Sequence, residues 1–123
     1  MMMGTEFEPL SANPRRRFTK LDQQVLERQV RICKAFANPV RLRMLDLLAR
    51  REHTVSEMQT ALEITLPNVS QHLSILKAAG VVSTRRSGKQ IYCFLALPEV
   101  KHACQLIRDV LRAQLKRGRT LKV

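Results

Sequence analysis

The chain has 123 residues, 45% of them apolar, enough for one compact domain with a modest core and too few for two comfortable ones. Lys and Arg number 22 against 10 Asp and Glu, and the formal charge of +12 favours a polyanionic partner. No apolar run approaches the ~18 residues of a bilayer span, no apolar leader follows the first methionines, and the few aromatics are too sparse to stack single-stranded bases. We therefore expect a cytoplasmic protein with double-stranded DNA as partner, with no membrane association and no RNA.

Residues 1–18 lack an apolar period and end in the basic run Arg15, Arg16, Arg17. They read as a flexible arm, either solvated or in contact with phosphate or the minor groove. The folded domain is expected over residues 19–115, with a basic tail at 116–123. Thr19 caps a first helix reaching Phe36, with Asp22 in its first turn and Leu21, Val25, Ile32, Cys33 and Phe36 near helical spacing. Asn38 and Pro39 read as the cap and first position of a second helix, largely buried through Leu45 and Leu48.

A short extended piece at residues 53–55 follows, then a brief third helix that we expect Ser56 to cap and that ends at Leu62. After the turn Glu63-Ile64, Thr65 caps a fourth helix, which tolerates Pro67 in its first turn and stops at Gly80. Residues 81–86 and 90–95 are β-prone and flank Ser87-Gly88-Lys89, which suits a hairpin with a glycine turn. From Pro98 to Leu115 the residues Val100, Ala103, Cys104, Ile107, Val110 and Leu111 form an apolar stripe on a last helix. So much exposed stripe on so small a domain implies a partner surface.

In the fourth helix Val69, Leu73 and Leu76 fall on one face, leaving Thr65, Pro67, Asn68, Ser70, Gln71 and His72 around the other. Short, uncharged, polar side chains of this kind can donate to and accept from base edges in a major groove. Arg85, Arg86 and Lys89, at or beside the hairpin turn, supply charge for the phosphate backbone. No P-loop, G-x-G-x-x-G, G-x-S-x-G or H-E-x-x-H pattern is present, and the three histidines are scattered, so an enzyme is not expected.

Three ordered blocks make the reading specific: Ala37-Asn38-Pro39-Val40-Arg41-Leu42-Arg43-Met44-Leu45, then residues 69–82 from Val69-Ser70-Gln71-His72-Leu73 to Ala79-Gly80-Val81-Val82, then Arg86-Ser87-Gly88-Lys89-Gln90-Ile91-Tyr92. In these blocks the chain resembles the ArsR/SmtB family of bacterial repressors over roughly residues 30–115. The resemblance implies a mainly α winged helix-turn-helix of five helices with a small two-stranded β-hairpin as the wing, and a homodimer through the first and last helices. It also implies binding to an imperfect inverted repeat in duplex DNA, with repression relieved by a ligand.

The family's known ligand sites do not transfer. Where its arsenic site has a Cys-Val-Cys motif, this chain has Val55 to Thr60 without a thiol, and the positions of its zinc site carry Leu97, Glu99, Val110 and Ala113. The second helix lacks the cysteine of persulfide-sensing relatives. No obligatory cofactor is expected, and Cys33, Cys93 and Cys104 keep three readings: a thiol site for trivalent arsenic, antimony or another soft metal, a redox or reactive-sulfur switch, and plain packing in a DNA-binding protein that senses nothing.

Overall fold

A computed structural model describes residues 13 and 15–118; the rest of the expected arm and residues 119–123 of the expected tail lie outside the described residues. The first element among the described residues is helix α1, Lys20–Phe36, and its entry is fixed by reciprocal capping. The Asp22 amide donates to Thr19 Oγ1 at 3.2 Å and the Thr19 amide to the Asp22 carboxylate at 2.8 Å. One terminal nitrogen of Arg16, Nη2, donates to both oxygens of the same carboxylate at 2.7 and 2.8 Å, so the foot of the arm is tied to the helix. The Thr19 amide first, and then Arg16, hold the buried Asp22 carboxyl below its ordinary range.

Asn38 Oδ1 accepts from the amides of Val40 and Arg41 and so starts helix α2, Pro39–Arg50, as expected. The third helix departs from expectation at its start. Helix α3, Val55–Leu62, is capped by Thr54 and not by Ser56. Thr54 Oγ1 accepts from the Glu57 amide at 3.0 Å while Glu57 returns a carboxylate to the Thr54 amide at 2.9 Å, whereas the residue at the matching distance from Ser56 is Gln59, an uncharged and weaker acceptor. Glu63 closes α3 in the left-handed region at φ +54°, and Arg43 donates to the Ala61 carbonyl in the last turn.

Helix α4, Leu66–Ala78, begins at Thr65 and ends before Gly80, whose φ of +77° gives the chain its exit. Helix α5, Pro98–Lys116, closes the domain.

The two-stranded wing is present as expected, and a third strand joins its sheet. Strand β1, His53–Thr54, lies in the extended piece before α3, and strands β2, Val82–Ser87, and β3, Gln90–Leu95, form the hairpin. The antiparallel order is β1-β3-β2, with His53 opposite Cys93 and Thr84 opposite Cys93. Strand β1 exists only through this long-range pairing, which no local pattern announces. The hairpin turn has two residues, Gly88 and Lys89, not three; Gly88 has φ +62° and Lys89 has no positive φ, the signature of a type II′ turn.

The core gathers at the centre. Met44, Leu45 and Leu48 of α2, Met58 and Leu62 of α3, Val69, Leu73 and Leu76 of α4, and Val82 and Cys93 of the sheet are all buried, with Ala35 and Val100 joining from the outer helices. The stripes predicted on α1 and α5 lie mostly outside this core. Leu21 is 68% exposed, Val110 60% and Ile107 52%, and of the α5 stripe only Val100 is buried. Among the described residues no helix is long and apolar enough to cross a membrane.

Candidate nucleic-acid interface

Helices α3 and α4, joined by the left-handed turn at Glu63, pack on α2 so that one side of α4 is committed to the core. Val69, Leu73 and Leu76 fill that side at helical spacing. The opposite side carries Thr65, Pro67, Asn68, Ser70 and Gln71, all exposed, and Ser74 continues it. Thr65 is shared between two tasks, since its hydroxyl accepts from the Asn68 amide at 3.4 Å as the cap. Pro67 lies in the first turn, where its missing amide proton costs no helical hydrogen bond.

His72 is placed differently from its neighbours. Its ring is half-buried, and Nδ1 stands 3.2 Å from the Arg41 guanidinium. Arginine can only donate, so Nδ1 is the accepting nitrogen and the neutral ring carries its proton on Nε2. His53, by contrast, is buried with Nδ1 2.9 Å from the Arg51 carbonyl, which can only accept. Its ring carries the proton on Nδ1.

The wing's basic residues also separate. Facing residues of paired strands share a side of the sheet, so Thr84 and Cys93 look to one side, Arg85 and Tyr92 to the other, and Arg86 and Ile91 to the first again. Arg85 is occupied: it pairs with Glu52 and lies over the Tyr92 ring at 4.7 Å. Arg86 and Lys89 are exposed, and neither has an ion pair among the described residues.

Between α4 and the sheet runs a groove. Ser70, Ser74 and Lys77 of α4 form one bank, and Thr84, Ile91 and Lys89 the other. Lys77 and Gln90 belong to this groove and escaped the sequence reading. Lys77 follows the buried Leu76 by one position and Ser74 by three, which was enough to place it beside the polar face.

The three cysteines do not form a cluster. Cys33 is exposed on α1, Cys93 is fully buried on β3, and Cys104 is half-buried on α5 in a groove against α2 with Asp46 and Arg108. Burial pushes the Cys93 thiol up to about 11 and the Cys104 thiol up as well, disfavouring thiolate at both. Among the described residues no group of three or more His, Cys, Asp or Glu side chains could hold a metal ion.

A family model described as bacterial regulatory protein, arsR family, matches residues 38–84, the span from the α2 cap into the wing. A biofilm growth-associated repressor of Agrobacterium fabrum is 43% identical over 65 residues, which make up 53% of this chain and 56% of that protein. The chain thus matches little more than half of that relative's length. The transcriptional activator HlyU of Vibrio cholerae is 36% identical over 76 residues, 62% of this chain and 70% of its own. Among solved structures, a homodimeric winged helix-turn-helix DNA-binding domain from Mycobacterium bovis, described as a possible ArsR-family regulator, superimposes with a TM-score of 0.77. It is 31% identical, and the superposition covers 85% of this chain and 97% of that one.

Proposed function

The chain belongs to the ArsR family of bacterial regulatory proteins, and from that premise we propose that it is a homodimeric, DNA-binding transcriptional repressor. In this reading two copies join through α1 and α5 and present their α4 helices to successive major grooves of an imperfect inverted repeat. Thr65, Pro67, Asn68, Ser70 and Gln71 meet the base edges. Arg86 and Lys89 bind phosphates from the wing, with Lys77 on the facing bank and Arg85 held in reserve by Glu52. The observation that carries the proposal is the exposed, uncharged polar face of α4 set beside a groove whose rims are lysines. Repression follows when the dimer occupies DNA that the transcription machinery needs.

A thiol-reactive effector is the second part of the proposal, and the geometry narrows it. Three thiols of one chain do not suit a chelate of trivalent arsenic, antimony or another soft metal, because Cys93 is sealed in the core and no three-ligand group exists among the described residues. Cys33 and Cys104 are left, each on one of the two helices proposed to join the copies. A change at either thiol that favours the weak-binding arrangement by ~1–3 kcal/mol would loosen the DNA complex 5- to 150-fold.

The test is an anisotropy titration of the reduced protein on a duplex that it selects from a random-sequence pool. Gln71→Ala should flatten the preference for the selected sequence, whereas Lys89→Ala should weaken every duplex and lower the salt slope by about one. Identical effects from both would sink the division of labour, and failure to select any sequence would sink the repressor reading. Arsenite or a thiol oxidant added to the formed complex should release the wild type and spare the Cys33→Ser/Cys104→Ser variant. An effector response that survives in that variant removes the thiol mechanism.

A further inference from the structure

One guanidinium in this fold touches three elements. Arg41 belongs to the first turn of α2, where Asn38 already caps its amide. From there its Nε donates to the Ala35 carbonyl at 2.8 Å and one terminal nitrogen to the Lys34 carbonyl at 3.1 Å, both in the last turn of α1. Both carbonyls lie at the negative pole of α1, which a cation suits, and the Lys34 carbonyl accepts from the Ala37 amide as well. The remaining terminal nitrogen reaches His72 Nδ1 in the middle of α4 at 3.2 Å. The planar fork thus bridges the end of α1 to the helix proposed to enter DNA. A lysine, with one compact charge, cannot span the same three acceptors.

His72 is the member of the predicted reading face that least fits the role of base reader. Its neighbours Asn68 and Gln71 are exposed, whereas its own ring is half-buried and its Nδ1 lone pair is already used. We propose that Arg41 and His72 form a positioning link that fixes α4 relative to α1, and that His72 acts through this link and not through a contact to bases. The inference rests on the DNA-binding reading for its consequence and on intramolecular geometry alone for its existence. Because α1 is also one of the two helices proposed to join the copies, the link gives the dimer seam a direct mechanical connection to the recognition helix. The coupling needs no ligand.

The experiment uses the full-length protein, three single variants and the Arg41→Lys/His72→Phe double variant. Arg41→Lys keeps the charge and loses the fork. His72→Asn places an amide oxygen near the position of Nδ1 and keeps an acceptor there, while His72→Phe keeps ring bulk and loses the acceptor. On the free proteins, the expected result is faster amide exchange in α4 for Arg41→Lys and His72→Phe and wild-type exchange for His72→Asn. The His72 ring nitrogens of the wild type should show the Nε2-protonated form by NMR. On the duplex selected by the wild type, Arg41→Lys and His72→Phe should each lose about tenfold in specific affinity with an unchanged salt slope. The double variant should lose no more than either alone, since one link cannot be broken twice.

Wild-type α4 exchange in Arg41→Lys, or an Nδ1-protonated His72, overturns the link whether or not DNA is bound. Equal loss of specific affinity in His72→Asn and His72→Phe, with α4 exchange intact, overturns the positioning role in favour of base reading by the imidazole. A wild type without sequence preference overturns the DNA-binding reading, and the exchange data then decide the link on their own.

Discussion

The centre and the edges of this domain are built on opposite terms. In the centre, α2, α3 and α4 bury one side each against the sheet, and Met44, Met58, Val69 and Leu76 are wholly shielded from water. At the edges, α1 and α5 are the longest helices of the fold, yet α1 buries only Asp22 and Ala35 and α5 only Val100. Leu106 and Val110, 61% and 60% exposed, stand in a row that the other described residues leave open. The difference teaches that apolar periodicity identifies a buried face without saying what buries it. The centre is covered by the chain itself, and at the edges the proposed dimer would supply the cover from a second copy.

The sharpest way to break this contrast is to cut into the centre. Leu76→Ala removes a fully buried side chain, and a loss of about 2–5 kcal/mol in unfolding free energy is expected by urea titration, at any protein concentration. A loss under 1 kcal/mol would mean that the centre is not where stability resides. At the edge, Val110→Glu should leave the fold of each copy intact by circular dichroism. Self-association measured by sedimentation should weaken roughly thirtyfold or more. Were Val110→Glu to leave association untouched, α5 would not be the seam.

A smaller effect tests the turn that sets α3. Thr54→Ala deletes one half of the reciprocal cap with Glu57 and should cost ~1 kcal/mol, whereas Ser56→Ala, at the position suggested by sequence, should cost a few tenths at most. Comparable costs would return the cap to Ser56. Smallest is a pH effect at the same cap. The Thr54 amide first, and then Arg51, pull the Glu57 carboxyl from an ordinary value near 4.5 down to about 2. A group whose pKa is lower in the folded state stabilises fully above its unfolded value and loses that contribution as the pH falls through its folded one. The urea midpoint of the wild type should therefore decline between about pH 5 and pH 2 more steeply than that of Glu57→Gln. Parallel curves would deny Glu57 its share of the acid sensitivity.

How much of this was legible in the sequence follows from how local each cause is. The caps at Thr19, Asn38 and Thr65 and the exit at Gly80 depend on residues within one helical turn, and all four stand where they were expected. The Thr54 cap was legible too, because Thr54 and Glu57 have the three-residue spacing of a reciprocal cap, but the nearer hydroxyl of Ser56 drew the assignment. The extended piece at residues 53–55 was legible, but its pairing as strand β1 was not, since that pairing comes from β3 far along the chain. At the candidate interface, exposure followed from helical spacing for Asn68, Ser70 and Gln71. The partners that occupy His72 and Arg85 come from α2 and from the approach to β1, and only the folded chain brings them there.

The two-residue turn at Gly88 and Lys89 carries a thermodynamic consequence for association. A long, supple wing would surrender many backbone degrees of freedom on settling against a phosphate chain, at roughly 1–2 kcal/mol for each residue ordered. Here the backbone beneath Lys89 is already set by the hairpin ladder, with Ser87 paired to Gln90 directly below the turn. In the proposed DNA complex, ordering at the tip is then confined largely to the lysine's own rotamers, and most of its attraction to phosphate would appear as affinity.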